Sequence, residues 1–367
     1  MTRIAIVSAA NPAGDAVGHD IRHMADLLRR HGHTPDVFTR VWGPDEPRNR
    51  HGRTVRSFLG RDPSAVMIYH HTSGWDAAID LVRRLRCRRV IRYHNVTPAH
   101  FFEPYDGGIT GDCRTGREQL DDLIAAKCEL YLSDSEYNQS ELLARGAAPD
   151  RCAVVPPFHQ ADRLCGVAHD PEVLEDLNDG HVNLLFVGRR APNKGHHLLI
   201  DALATYTDLY NPRSRLFLIG KPDGRLRAYD DELREQIRRM RLHDRVVFIG
   251  GIDDAALRAY YASSAALVVT SEHEGFCVPV IEAMALGVPV IAWGTTAVTG
   301  TVGDAGLVWN DPEPFLLAQS IDAVVRDAEL RQLLAERGRR RYRRLFRTPR
   351  LETDFLAALP LLYRAAA

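Results

Sequence analysis

Short apolar runs alternate with helix-length amphipathic stretches along the whole chain, and the series runs twice. This alternation constrains the fold more than any other feature. Ile4–Val7 is a strand-like run rich in β-branched residues. A helical pattern follows from Asp20 to His31, with Ile21, Met24, Ala25 and Leu28 on one face and Gly32 as its stop. Further strands are expected at Asp36–Phe38, Val66–Tyr69, Val90–Tyr93, Leu130–Ser133 and Ala153–Val155. The stretch from Gln160 to Gly180 is more polar and reads as a linker with a short helix. A second series then begins, with strands at Asn183–Val187, Leu216–Ile219, Val246–Ile249, Leu267–Thr270 and Val288–Ala292. Helices over Pro314–Arg326 and Leu330–Phe346 close it, and a last helix is expected over Arg350–Tyr363. Alternating strands and helices predict parallel strands joined by right-handed crossovers, an α/β architecture. The expectation is two Rossmann-like parallel-sheet domains, over 1–165 and 182–349, joined by a linker at 166–181. Ligands of such sheets sit beyond the carboxyl ends of the strands, so two facing halves place the site in the cleft between them.

Composition narrows the class. The chain has 367 residues, enough for two cores, with 45% hydrophobic and 26% charged residues. Its 47 basic and 48 acidic residues balance, which argues against a dedicated nucleic-acid binder. Only Lys127, Lys194 and Lys221 are lysines, so the basic count is almost all arginine. No apolar stretch reaches the length of a membrane span, and the N-terminus runs straight into a strand pattern without a signal-peptide h-region. The six cysteines are scattered with no C-x-x-C pair. They read as reduced thiols of a cytoplasmic protein, and no metal site is expected.

Three familiar phosphate-handling signatures are missing. There is no G-x-x-x-x-G-K-[ST] loop, no G-x-G-x-x-G after the first strand of either half, and no D-x-D pair. A positive loop stands where the second half's first strand ends: Gly188-Arg189-Arg190-Ala191-Pro192-Asn193-Lys194-Gly195. Arg189 offers a fork and Lys194 a point charge, so together they could neutralise a diphosphate without metal; the alternative is a pair of solvated loop cations. The second feature is Glu274-Gly275-Phe276-Cys277-Val278 leading into a helix that holds Glu282. Amides around Phe276–Val278 would face an anion, and two carboxylates beside it could take hydroxyls. A sugar nucleotide carries that combination of groups. The bland alternatives are a dipole-favouring acid at Glu282 and a loop-capping carboxylate at Glu274.

The G-R-x4-K-G loop followed by E-G-F-x5-E-A-M-A-x-G-V-P-V resembles the retaining GT-B glycosyltransferases of glycosyltransferase family 4. The resemblance implies that Arg189 and Lys194 bind the donor diphosphate, with Gly188 in the same loop. It implies that Glu274 contacts the donor sugar, Glu282 the ribose, and the loop at Gly275, Phe276, Cys277 and Val278 the sugar and phosphates. Ile252, after Gly250-Gly251, would meet the base. His94, at a strand end in the first half, resembles the family's histidine near the reaction centre. Gly14 and Gly18 stand where the family often has a Gly-Gly pair. The resemblance also implies a first-half acceptor domain, with the terminal helix (350–367) packed back on it, and a second-half donor domain. The implied reaction is front-face transfer with retention, from a nucleoside diphosphate sugar to a glycan, glycolipid or small-molecule hydroxyl, with no cofactor. A phosphorylase, an epimerase or a non-catalytic sugar-nucleotide binder are the alternatives.

Acceptor recognition is expected in the loops that hold His70 and His71 and that run from Asn95 to Tyr105. Phe101, Phe102 and Tyr105 of the latter could stack on a sugar or form a small core of their own. Lys221 reads as a loop cation and Lys127 as a surface residue at a helix end. Two arginine tracts, 83–89 and 337–344, could contact an anionic membrane surface or nucleic acid, or could be solvated helix faces. The favoured partners are a donor and an acceptor without nucleic acid, with weak peripheral membrane contact left open.

Overall fold

The computed structural model describes residues 1–11, 15–41, 50–51 and 54–359. The chain divides into two compact units: one of residues 1–100, 107–159 and 348–367, the other of 101–106 and 160–347.

In the first unit the strands are β1 (Arg3–Ala10), β2 (Thr34–Val41), β3 (Arg50–His51), β4 (Val66–His71), β5 (Arg88–Tyr93), β6 (Leu130–Ser133) and β7 (Cys152–Val154). They form one sheet in the order β3-β2-β1-β4-β5-β6-β7, and every paired neighbour is parallel. Crossover helices include α1 (Ala16–Arg30), α2 (Val55–Leu59), α3 (Asp76–Arg84), α4 (Gly107–Ala125) and α5 (Glu136–Ala144). Ile21, Met24, Ala25 and Leu28 are buried on one face of α1, as their spacing predicts. They pack with Ile4, Ile6, Ile68, Val90 and Leu132 of the sheet. The last helix, Thr348–Ala358, adds Leu351 and Phe355 to this core. His23 and Arg30 of α1 bind its Glu352 at 2.8 and 2.6 Å.

The second unit opens with two short helices, α6 (Ala161–Gly166) and α7 (Pro171–Leu177). The stretch expected as a linker over 166–181 groups with this unit and holds α7. Ala161, Leu164 and Leu177 belong to this unit's core, because the polar residues around them face outward while these few apolar side chains turn in. The strands are β8 (Val182–Val187), β9 (Ser214–Ile219), β10 (Val246–Ile249), β11 (Ser264–Val269), β12 (Val290–Trp293) and β13 (Gly306–Trp309). Their order is β10-β9-β8-β11-β12-β13, all parallel. Helices α8 (His196–Leu209), α9 (Arg227–Arg239), α10 (Asp254–Ser263), α11 (Val278–Leu286), α12 (Val298–Val302), α13 (Pro314–Arg326) and α14 (Ala328–Leu345) complete it. Strand order reverses between β8 and β11, and at such a switch point the loops leave in opposite directions and open a crevice. The loops after β8 and β11 are the two that carry the sequence motifs.

Candidate active site

In the second unit the two motif loops are built against each other. Gly195, at φ +64°, would place a Cβ 2.0 Å from the Thr270 carbonyl oxygen, so only glycine allows this approach. The Thr270 hydroxyl donates to the Gly195 carbonyl at 2.8 Å. Asn193 fastens the same junction. Its carbonyl accepts from the Glu272 and His273 amides at 2.9 and 3.1 Å, and its side-chain amide donates to the His273 carbonyl at 3.0 Å. The motif residues are thus placed by backbone, not by side-chain chance.

That staple brings Lys194 to Glu274: Nζ lies 2.7 Å from Oε1, with the side chains only 20% and 10% exposed. The Ser271 hydroxyl donates to the same oxygen at 2.8 Å. The Thr296 hydroxyl accepts from the Glu274 amide at 2.9 Å, with Thr296 itself at φ +45°. Arg189 remains exposed, 3.7 Å from Asp223. Its neighbour Arg190 is buried, forked onto Asp230 at 3.0 Å and lying over the Phe248 ring. Two adjacent arginines therefore divide between an open cation and a packing clamp.

Cys277 precedes α11 at φ +76°, a conformation that costs a non-glycine residue energy. Burial, then the Glu274 charge, pushes its thiol well above the usual range, so it stays neutral. Phe276 packs edge-on against Phe346, and its carbonyl accepts from Thr301 at 2.7 Å. Gly275 and Val278 keep partial exposure. Glu282, in the second turn of α11, accepts from the Tyr261 hydroxyl at 2.8 Å. Desolvation pushes its pKa up to about 7, against the lowering effect of that hydrogen bond. Ile252 packs at the edge of the unit's core beyond Gly250-Gly251. Gly188 donates its amide to the Ile219 carbonyl at 2.8 Å. Lys221 is exposed, with its stem against Gly251.

The first unit holds a different arrangement. His94 is almost closed off, its side chain 5% exposed, with Nδ1 2.8 Å from Asp134 and Nε2 2.8 Å from His70 Nδ1. Arg92 binds Asp20 through Nε at 3.1 Å, Asp134 at 3.0 Å and the Val155 carbonyl at 2.6 Å. Burial works to raise the pKa of Asp20, but Arg92, then His94 and His70, outweigh it and hold the carboxyl below its usual value. Asp20, His70 and His94 offer ligand atoms within 4.8 Å of one another. A cation there would have to displace the Arg92 guanidinium from Asp20 and break the His70–His94 bond, so these residues fit an ion-pair network better than a metal.

Three residues named on the acceptor side, His70, His71 and Asn95, are buried. His70 and His71 are fully buried, because β4 is covered on both faces up to its last residue. His71 bonds the Gly116 carbonyl at 2.8 Å, and burial lowers its pKa to about 4. Asn95 is 8% exposed at φ +79°, and its amide donates to Asn138 and Glu141 at 2.9 and 2.8 Å. A strand-end position did not make these residues a surface. Gly18 is buried within α1, and Gly14 lies outside the described residues. Sequence reading missed Asp20, Arg92 and Asp134. Arg92 inside Val90-Ile91-Arg92-Tyr93 was the available signal, since a cation in a buried run needs carboxylate partners.

The arginine tracts also differ. In the first, Arg83, Arg84 and Arg89 pair with Asp122, Asp80 and Glu129. In the second, on α14, Arg337, Arg340, Arg343 and Arg344 are exposed, and none pairs with a carboxylate among the described residues. Among the described residues no helix is long and apolar enough to cross a membrane.

The family model for glycosyl transferases group 1 matches residues 175–341. A D-inositol 3-phosphate glycosyltransferase of Jonesia denitrificans is 31% identical over 333 residues, covering 83% of this chain and 73% of that protein. The fold is shared with a sucrose-phosphate synthase of Thermosynechococcus elongatus, at TM-score 0.80 and 20% identity over 100% of both chains. Anabaena HepE, solved in complex with UDP and glucose, superposes at TM-score 0.76 and 20% identity over 98% of this chain and 99% of its own. The match over the motif loops and the long alignment to a named transferase agree: this chain belongs to the group 1 glycosyl transferases, enzymes of the GT-B fold.

Proposed function

We propose that this glycosyltransferase takes its sugar from a nucleoside diphosphate donor and passes it, with retained configuration and without metal, to a hydroxyl of a glycan, glycolipid or small molecule. The observation that carries this reading is the Lys194–Glu274 pair at the switch point of the second unit. A cation and a carboxylate held together there are a diphosphate contact and a sugar-hydroxyl contact side by side. HepE, of the same fold, is described with UDP and with UDP-glucose, which supports a nucleotide-sugar donor.

When the donor binds, Lys194 turns from Glu274 toward the diphosphate, Arg189 adds a second cation, and the amide end of α11 faces the same charge. Glu274 is then free to accept from sugar hydroxyls, and Glu282 from the ribose. As the glycosidic bond to phosphate breaks, these groups stabilise the leaving diphosphate. The leaving phosphate oxygen takes the proton of the acceptor hydroxyl as that oxygen bonds the anomeric carbon on the same face. Glu274 is bound by both Lys194 and Ser271, an arrangement that suits a positioning carboxylate better than a nucleophile. The enzyme works in the cytoplasm, and the exposed Arg337, Arg340, Arg343 and Arg344 of α14 contact anionic lipid at the membrane surface.

A thermal-shift panel of UDP-, GDP-, ADP- and dTDP-sugars identifies the donor. Saturation at many times Kd stabilises by a few kcal/mol. Product NMR then reads the anomeric configuration. No stabilisation by any nucleotide sugar, or an inverted product, overturns the reading.

A further inference from the structure

One segment among the acceptor candidates packs in the second unit. Phe101–Asp106 follows His94 and Asn95 in sequence but belongs with residues 160–347. Phe102 is buried, and its carbonyl accepts from the Tyr105 and Asp106 amides at 2.9 Å, closing a tight turn. That turn sends two aromatic side chains in defined directions. The Phe101 ring lies 6.4 Å from the His273 ring. Tyr105 donates its hydroxyl to Glu232 at 2.7 Å and sets its ring edge-on to Tyr229 at 5.5 Å.

Both contacts lead to the motif loops. His273 precedes Glu274, and its backbone is bound on both sides by Asn193, which precedes Lys194. Tyr229 packs edge-on to His196 at 6.0 Å, and its hydroxyl lies 3.4 Å from His196 Nδ1. His196 is the first residue of α8, directly after Lys194-Gly195. Desolvation, then Lys194 and Arg190, lowers its pKa to about 3, so it is a neutral packing ring. The segment therefore rests on residues next to Lys194 and Glu274 from two sides.

From this we infer that Phe101 and Tyr105 are positioning residues for the donor site: Phe101 holds the His273–Glu274 loop and Tyr105 holds the Lys194–His196 junction. This rests on the nucleotide-sugar reading above. A supporting residue fixes reacting groups to a fraction of an ångström, and misplacement of that order is worth ten- to hundredfold in rate.

The test is a double-mutant cycle read by steady-state kinetics with varied donor and acceptor. Phe101→Ala is expected to lower kcat with donor at least tenfold, leaving acceptor KM and Tm close to wild type. In a Glu274→Gln background the same substitution should cost nothing more, because its target is already gone. Tyr105→Phe should lower donor kcat/KM severalfold and be non-additive with Glu232→Gln. Phe101→Leu, which keeps apolar bulk, should recover most of the rate; it also serves if Phe101→Ala fails to fold. Additive losses in the Glu274→Gln background, a raised acceptor KM alone, or wild-type kcat in both Phe101 variants would overturn the inference. Wild-type protein that neither binds nor turns over any nucleotide sugar would instead overturn the proposed donor.

Discussion

Lys194 is one of three lysines among 47 basic residues, and it is the one that meets Glu274. Its compact charge reaches Oε1 from a loop held by Asn193 and Gly195, a geometry that a planar guanidinium does not reproduce. Lys194→Ala should therefore reduce kcat/KM by about 100-fold or more while the protein stays folded, and Lys194→Arg should recover little of it. Matched kinetics and circular dichroism check this. Glu282 gives a pH signature. Its pKa is raised to about 7, so the folded protein holds this proton more tightly than the unfolded chain does. Its contribution to stability is present below about pH 4.5 and fades as pH rises through 7; wild type should therefore lose Tm relative to Glu282→Gln, which cannot ionise, in that direction. The ionised carboxylate is the stronger acceptor for the ribose hydroxyls of the proposed donor, so donor affinity is expected to rise with pH across the same window and to lose that dependence in Glu282→Gln. Titration calorimetry between pH 6 and 8 reads it. Residues on the motif loops were legible one by one in the sequence. His94 and His70 were each named but not as partners, and Asp134 was not named: Asp134 and His70 lie far from His94 in sequence and meet it only through strand pairing.

At the scale of elements, the backbone junctions of the second unit carry the site. Gly195→Ala would force a side chain into φ +64° and against the Thr270 carbonyl. The conformation alone costs roughly 1–2 kcal/mol, and the overlap must also separate the two motif loops. The expected result is a lower Tm together with loss of donor binding, measured by denaturant melts and thermal shift. Gly220 stands in the same position toward the Gly188 carbonyl, with a Cβ contact of 1.9 Å, so Gly220→Ala should disturb the arginine loop in like manner. Helices with strong apolar periodicity, such as α1 and α13, were readable because one face alone is buried. The two-residue β3 and the half-exposed β13 were not, since short edge strands carry little pattern. Helices α6 and α7 looked like linker because each buries only a few side chains.

Across the whole molecule, near-neutral net charge hides an uneven distribution. Arg83, Arg84 and Arg89 of the first tract are paired with carboxylates, whereas among the described residues Arg337, Arg340, Arg343 and Arg344 of α14 are not. Four exposed guanidinium groups on one helix should bind anionic vesicles in a salt-dependent way, at about 1 kcal/mol per contacting residue. Co-sedimentation with phosphatidylserine vesicles at low salt should fall when Arg337, Arg340, Arg343 and Arg344 become Gln, with turnover of a soluble acceptor unchanged. Equal pelleting of wild type and variant would remove lipid contact from the proposal.

The α/β class, the two strand–helix series, and the loops that carry Arg189, Lys194, Glu274 and Glu282 were legible in the amino-acid sequence. Those depend on local periodicity and on residues spaced along one stretch of chain, where short-range sterics and hydrophobic burial act directly. Which of these residues lie together is set by the folded chain alone. It bound Lys194 to Glu274, buried His70 and His71 inside the first unit, and set Phe101 against His273 and Tyr105 against Glu232. Each of those outcomes is a contact between residues far apart in sequence. Parallel strand order sets such contacts, and no local pattern encodes it.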